Sequence, residues 1–206
     1  ADYKTREFTH IFGLLTSNLI LLVHPDNWKT MDQLLTASRE KTLSGGVPAV
    51  GTASHINGLV MGDKLGMKIS WVPYNSSGEV LAGVAGKHLD FGIISTDSAQ
   101  TMAAAGKVRP LLVYSPVADS GFPEVPFPEK LGYKMPTMST IRGFIAPPKM
   151  PADRVKILSD AMFKTASDPE FIDWAKKLQL DITPRDGRKY LAETEKQYII
   201  LGPYRH

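Results

Sequence analysis

The chain has 206 residues and no cysteine, which excludes disulfide frameworks, thiolate-bound zinc or iron–sulfur clusters and cysteine nucleophiles. Hydrophobic residues at 43% and charged residues at 22% are the proportions of a folded globular protein, long enough for one large domain or two small lobes. The 24 Lys and Arg against 21 Asp and Glu leave a net charge of +3, spread along the chain without the dense basic run that marks nucleic-acid binding.

Residues 1–9 read ADYKTREFT, which lacks the apolar segment and cleavage site of a secretory leader. Over residues 8–24 two short β-like runs are interrupted by Thr16, Ser17 and Asn18, a shift in composition that reads as a hinge between lobes. The same polar triplet keeps this stretch well short of a membrane helix. Thr30 with Gln33 three residues on is a capping-box spacing and predicts a helix with Met31, Leu34 and Leu35 along one face.

One pattern then recurs in three consecutive units, each an apolar run, a small or hydroxyl-rich turn and a helix ending near glycine. The first passes from Val47 through Gly51, Thr52, Ala53 and Ser54 to Gly66. The second runs over 69–74, turns through Asn75, Ser76, Ser77 and Gly78, and closes at Gly86. The third runs over 89–94, turns through Ser95, Thr96, Asp97 and Ser98, and closes at Gly106. Glycines placed as C′ residues support each helix. Strand–helix alternation of this length predicts an α/β fold on a parallel sheet, completed by a strand over 108–114. Residues 115–138 are rich in Pro and Gly and read as loop, with a short helical turn near Glu129. A strand over 141–146 and helices over 152–166, 169–178 and 188–201 follow, with Asp168 as N-cap and Pro169 at N1 of the second. These last helices have little sheet of their own to cover, a sign of missing strands.

Three enzyme-like matches fail on chemistry. Gly46 and Gly51 have P-loop spacing, but Thr52 stands where the phosphate-neutralising lysine belongs. Asp90, Phe91 and Gly92 spell a kinase metal-binding triplet without its companion motifs and continue a strand pattern. Ser54 and His55 are adjacent, so on a helix they point about 100° apart, and no nucleophile elbow accompanies them. Histidines 10, 24, 88 and 206 are scattered with no metal-ligand spacing, and no cofactor is indicated. What remains is a set of helix N-termini at the carboxyl ends of strands. Each is an anion receptor in principle, and Gly51, Thr52 and Ala53 let a ligand approach the backbone. The plainer reading is that Thr52, Ser76 and Thr96 cap their own helices. Their convergence on one sheet edge, without an acid, base or metal set, favours binding over catalysis.

Ordered motifs then give a resemblance. They are Gly51-Thr52-x-x-His55, Trp71-Val72-Pro73-Tyr74 leading to Gly78, Gly86-x-x-x-Asp90, the run Ala105, Gly106, Lys107, Val108, Arg109, Pro110, Leu111, and a proline-rich loop from Phe122 to Pro126 followed by Leu131, Gly132 and Tyr133. A return strand from Arg142 to Pro147 and the closing Asp168-Pro169-Glu170 complete the set. Over nearly the whole chain these resemble the extracytoplasmic solute-binding receptors of tripartite tricarboxylate transporters, the Bug proteins. The resemblance implies a type II periplasmic-binding-protein-like fold, with one complete lobe over 19–139 and a remnant of the other over 1–18 and 140–206. It implies a periplasmic, non-enzymatic receptor for a small carboxylate, partnered by transporter membrane subunits. Gly51, Thr52 and Ala53 would meet the carboxylate, with Thr96 and Asp97 on the adjacent loop and Ser17, Asn18 and Thr140 near the hinge. Family members carry a further upstream segment, so the resemblance implies an N-terminally truncated chain whose open lobe face would self-associate. Val47 and Pro48 replace small hydroxyl residues common in the family, which leaves the substrate open. A small α/β hydrolase-like enzyme using His55 or Asp97, and an effector-sensing regulatory domain, are the alternatives.

Overall fold

A computed structural model of the chain describes residues 5–178 and 180–204. His206 and the first four residues of the ADYKTREFT segment therefore lie outside the described residues. The fold divides into two compact units, one made of Ala1–Thr16 and Ile141–Gly202, the other of Ser17–Thr140 with Pro203–His206. The chain passes out of the smaller unit at the end of β1 (Thr9–Ser17) and returns to it in β7 (Thr140–Ala146).

The larger unit is built on a five-stranded sheet. Its strands are β2 (Leu19–Val23), β3 (Leu43–Val47), β4 (Ile69–Pro73), β5 (Phe91–Ser95) and β6 (Arg109–Tyr114), in the spatial order β4-β3-β5-β2-β6. β3 runs parallel to β4 and β5, whereas β2 is antiparallel to both β5 and β6. The sheet is therefore mixed, and the expected parallel sheet holds for every strand but β2. Helices cover both faces, which is why β2 and β5 read as unbroken apolar runs and not as alternating ones. On one face α1 (Met31–Glu40) and α2 (Ala53–Leu65) bring Met31, Leu34, Leu35 and Met61 against Leu19, Leu21, Phe91, Ile93 and Tyr114. On the other, α3 (Ser77–Ala85) and α4 (Thr96–Ala104) bring Val80, Val84 and Ala99 against Ile20, Leu22, Ile94 and Val113.

Helix ends explain where the sequence reading held. Thr30 Oγ1 accepts from the Gln33 amide at 3.3 Å while Gln33 Oε1 accepts from the Lys29 amide at 2.7 Å, a capping box displaced by one residue. Gly66 ends α2 at φ +66 and Gly106 follows α4 at φ +65, as C′ glycines do. Gly86 differs: its φ is −85, and the left-handed residue is Lys87 at φ +59. Glycine stands there for space, because a Cβ would lie 2.9 Å from the His88 ring and 3.1 Å from Ala82 O.

The smaller unit has a three-stranded sheet in the order β7-β1-β8, with β8 (Ile182–Asp186) antiparallel to β1. Ile11, Phe12, Ala146 and Ala166 form its buried centre, with Met162 and Phe163 of α5 (Ala152–Ala166) packed against them. α6 (Pro169–Lys177) is capped by Asp168, and α7 (Gly187–Leu201) by Asp186, whose carboxylate accepts from the Lys189 amide at 2.9 Å. Among the described residues no helix is long and apolar enough to cross a membrane.

Candidate ligand-binding site

Connections leave β3 and β5, which are neighbours, in opposite directions. β3 leads through α2 on one face to β4, and β5 leads through α4 on the other face to β6. This is a topological switch point, the place where open α/β sheets generally take ligands, at the carboxyl ends of the strands. Two of the three helix starts singled out from the sequence flank it.

At the first, Gly51 turns at φ +77 and nothing lies within 4 Å of where its Cβ would be. Thr52 is the N-cap of α2; its hydroxyl donates to Ala49 O at 2.8 Å and sits 3.5 Å from the His55 amide, which it caps weakly. Ala53 and Ser54 supply the first-turn amides that a helix leaves without an intrahelical acceptor. The Gly51 amide is already taken, donating to His55 Nδ1 at 3.2 Å. Burial holds the His55 pKa below its ordinary value of 6.5, so the ring is neutral and serves as acceptor at Nδ1. It stands edge-on to Trp71 at 5.4 Å.

At the second, the capping differs from expectation. Ser95, not Thr96, is the N-cap of α4, and its hydroxyl pairs with Ser98 Oγ at 3.0 Å. Thr96 is the first helical residue, buried, and its amide donates to Asn18 O at 2.9 Å. That bond joins Asn18 to the β5–α4 turn. Asp97 follows in the first turn, and Ser17, the last residue of β1, is buried beside Asn18 in the chain. Thr140 begins β7 two residues after Met138, which is fixed by Asn57 of α2. The third helix start carries a capping box. Ser76 caps α3, and the carboxylate of Glu79 accepts from the Asn75 amide at 3.1 Å, so the helix supplies its own anion.

Three neighbours of the site were not singled out from the sequence. Asn57, almost fully buried, accepts from the Met138 amide at 2.9 Å and donates to its carbonyl at 2.8 Å, acting as a one-residue strand. A lone amide inside the apolar run Ile56 to Val60 was the available signal. Asp119 is buried, accepts from Asn18 Nδ2 at 2.9 Å and from the Gly121 amide at 2.9 Å, and so ties the proline-rich loop to the start of β2. Nothing in that loop's composition marks it. Ser115, buried at the end of β6, donates to Val117 O.

The enzyme-like motifs resolve into packing. Gly46 is a buried strand residue whose Cβ would lie 2.4 Å from Leu89, so it is no phosphate loop. Asp90 clamps β3, accepting from Ser44 N at 2.8 Å, Ser44 Oγ at 3.0 Å and Lys41 Nζ at 3.1 Å. Ser54 is buried. Among the described residues no three His, Asp or Glu side chains converge to hold a metal.

The architecture defines the class: a mixed α/β unit of the type II periplasmic-binding-protein kind, joined to part of a second. The chain belongs to the tripartite tricarboxylate transporter family receptors, whose family model matches residues 2–198. A UPF0065 protein of Bordetella pertussis is 27% identical over 163 residues, 77% of this chain and 50% of the relative. The chain spans about half the length of the first curated relatives it matches. Among solved structures, an R. palustris protein with adipate is similar at a TM-score of 0.83 and 18% identity, over 97% of this chain and 70% of that one. MatC from Rhodopseudomonas palustris with bound malate is similar at a TM-score of 0.77 and 20% identity, over 87% and 62%.

Proposed function

We propose that the protein is a periplasmic receptor that captures a small carboxylate and presents it to the membrane subunits of a tripartite tricarboxylate-type transporter. The observation that carries this reading is the switch point. There the α2 start, with its glycine turn and first-turn amides, follows β3, and the turn joined by the Asn18–Thr96 bond follows the neighbouring strand β5. Backbone N–H groups at a helix start stabilise a carboxylate through both hydrogen bonds and the helix dipole. Gly51, Thr52 and Ala53 are the residues we assign to the carboxylate, with Thr96, Asp97, Ser17, Asn18 and Thr140 around it. Adipate and malate, named with two structural relatives, are dicarboxylates and supply the first probes.

In this reading the larger unit is the second lobe of the receptor and the smaller one belongs to the first. No catalysis is involved, because His55, the strongest candidate base, spends Nδ1 on the Gly51 amide. The exposed Phe144, Ile145, Ile157 and Trp174 of the smaller unit support self-association of the chain as given. Thermal unfolding across a panel of di- and tricarboxylates tests the reading, since a ligand at 100 times its Kd stabilises by about 2.7 kcal/mol. Saturable stabilisation by malate or adipate, weakened in Thr52→Val, is expected. Absence of any carboxylate response, in this chain and in one extended to its relatives' full length, rejects it.

A further inference from the structure

The loop from β3 to α2 is fixed from the sheet side through one side chain. The Gly51 amide donates to His55 Nδ1 at 3.2 Å, and the ring that accepts it is held edge-on by Trp71 at 5.4 Å and 89°. Trp71 is itself edge-on to Phe91 of β5 at 5.8 Å. Its indole lies over Gly45 and Gly58, where a Cβ would come within 2.8 and 2.1 Å. The two glycines thus admit the indole, the indole sets the imidazole, and the imidazole sets Gly51. Accepting a hydrogen bond at Nδ1 requires the neutral ring with its proton at Nε2. A protonated ring would oppose one N–H to another and lose the bond.

We infer that His55 is a positioning residue for carboxylate capture: its neutral imidazole fixes Gly51 and hence the amides of the ligand loop, and protonation of the ring releases the loop and weakens binding. This rests on the reading that residues 51–53 meet the ligand. The ring's surroundings are uncharged: β3 and β4 carry no charged residue, and the charged Asp63 and Lys64 of α2 lie about two helical turns away. Burial alone depresses the His55 pKa, with no acid or base contributing.

The test compares wild type with His55→Asn, whose Oδ1 replaces Nδ1 as acceptor, and His55→Phe, which keeps a ring against Trp71 without an acceptor. Two readouts are taken: exchange of the Gly51 amide by NMR in the unliganded protein, and affinity for malate and adipate from about pH 7.5 to about 5.5. Wild type should lose Gly51 protection and about tenfold in affinity on acidification, the worth of one hydrogen bond to a positioned group. His55→Asn should keep both, with only the pH dependence that protonation of the ligand's own carboxylates brings, and His55→Phe should lose both at every pH. Thermal unfolding establishes that each variant is folded. Equal Gly51 exchange in all three proteins, or wild-type affinity that falls on acidification no more than that of His55→Asn, overturns the inference. If wild type binds neither acid, the receptor reading fails, while the exchange comparison still decides whether His55 holds the loop.

Discussion

Asp90 and Asn57 each replace backbone pairing with a side chain. Burial works to raise the Asp90 pKa, but the Ser44 amide and hydroxyl and the Lys41 ammonium together hold it below its ordinary 3.8. Because the folded value is the lower one, the stabilisation is complete above pH 3.8 and is lost as pH falls through the folded value. Asp90→Ala should cost about 1–3 kcal/mol at neutral pH in urea unfolding and flatten that acid limb. Asn57→Ala strands the amide and carbonyl of Met138 and should cost about 2 kcal/mol or more, read the same way. The sequence read Asp90 as continuing a strand pattern; it stands one residue before β5, where its carboxylate binds Ser44 of β3. Asn57 passed unnoticed because one polar residue does not disturb the period of an apolar helix.

Elements were legible where their ends carry local chemistry and illegible where neighbours decide. α1, α2, α3 and α6 begin at Thr30, Thr52, Ser76 and Asp168, whose side chains accept from first-turn amides. α4 misled because Ser95 and Thr96 are both plausible caps, and the choice is settled by Asn18, distant in the chain. β8, reading ITPRD, has neither alternation nor an apolar run and was missed. β3, reading LSGGV, hides its length behind two glycines that a strand propensity penalises. Gly45, beside Trp71 and Phe91, and Gly58 are where the packing of α2 on the sheet is most demanding. Gly58→Ala drives a methyl into Trp71 and should destabilise by about 1–3 kcal/mol, with a shift in tryptophan fluorescence as the indole moves. Trp71→Phe in that background should recover part of the loss.

At the scale of the whole molecule, the smaller unit is assembled from two pieces and the larger is one long stretch, Ser17–Thr140, with Pro203–His206 added. Both apolar clusters of the larger unit lie within it, so a protein of residues 17–140 should fold alone and unfold cooperatively, as measured by circular dichroism against urea. A molten, non-cooperative product would show that its stability depends on the other unit. The sequence placed a hinge at the polar break from Thr16 to Asn18, and the chain divides into its two units between Thr16 and Ser17. The reversed direction of β2 was not legible, since an apolar run does not say which way its neighbours point. That reversal governs synthesis. β2 reads LILLV and leaves the ribosome first among the strands of its sheet, yet its partners reach as far as Ser95 and Tyr114. Until Ser95 emerges, five fully apolar residues travel unpaired, and one edge stays open until Tyr114 follows, the kind of segment that chaperones grip and that seeds inclusion bodies when they do not.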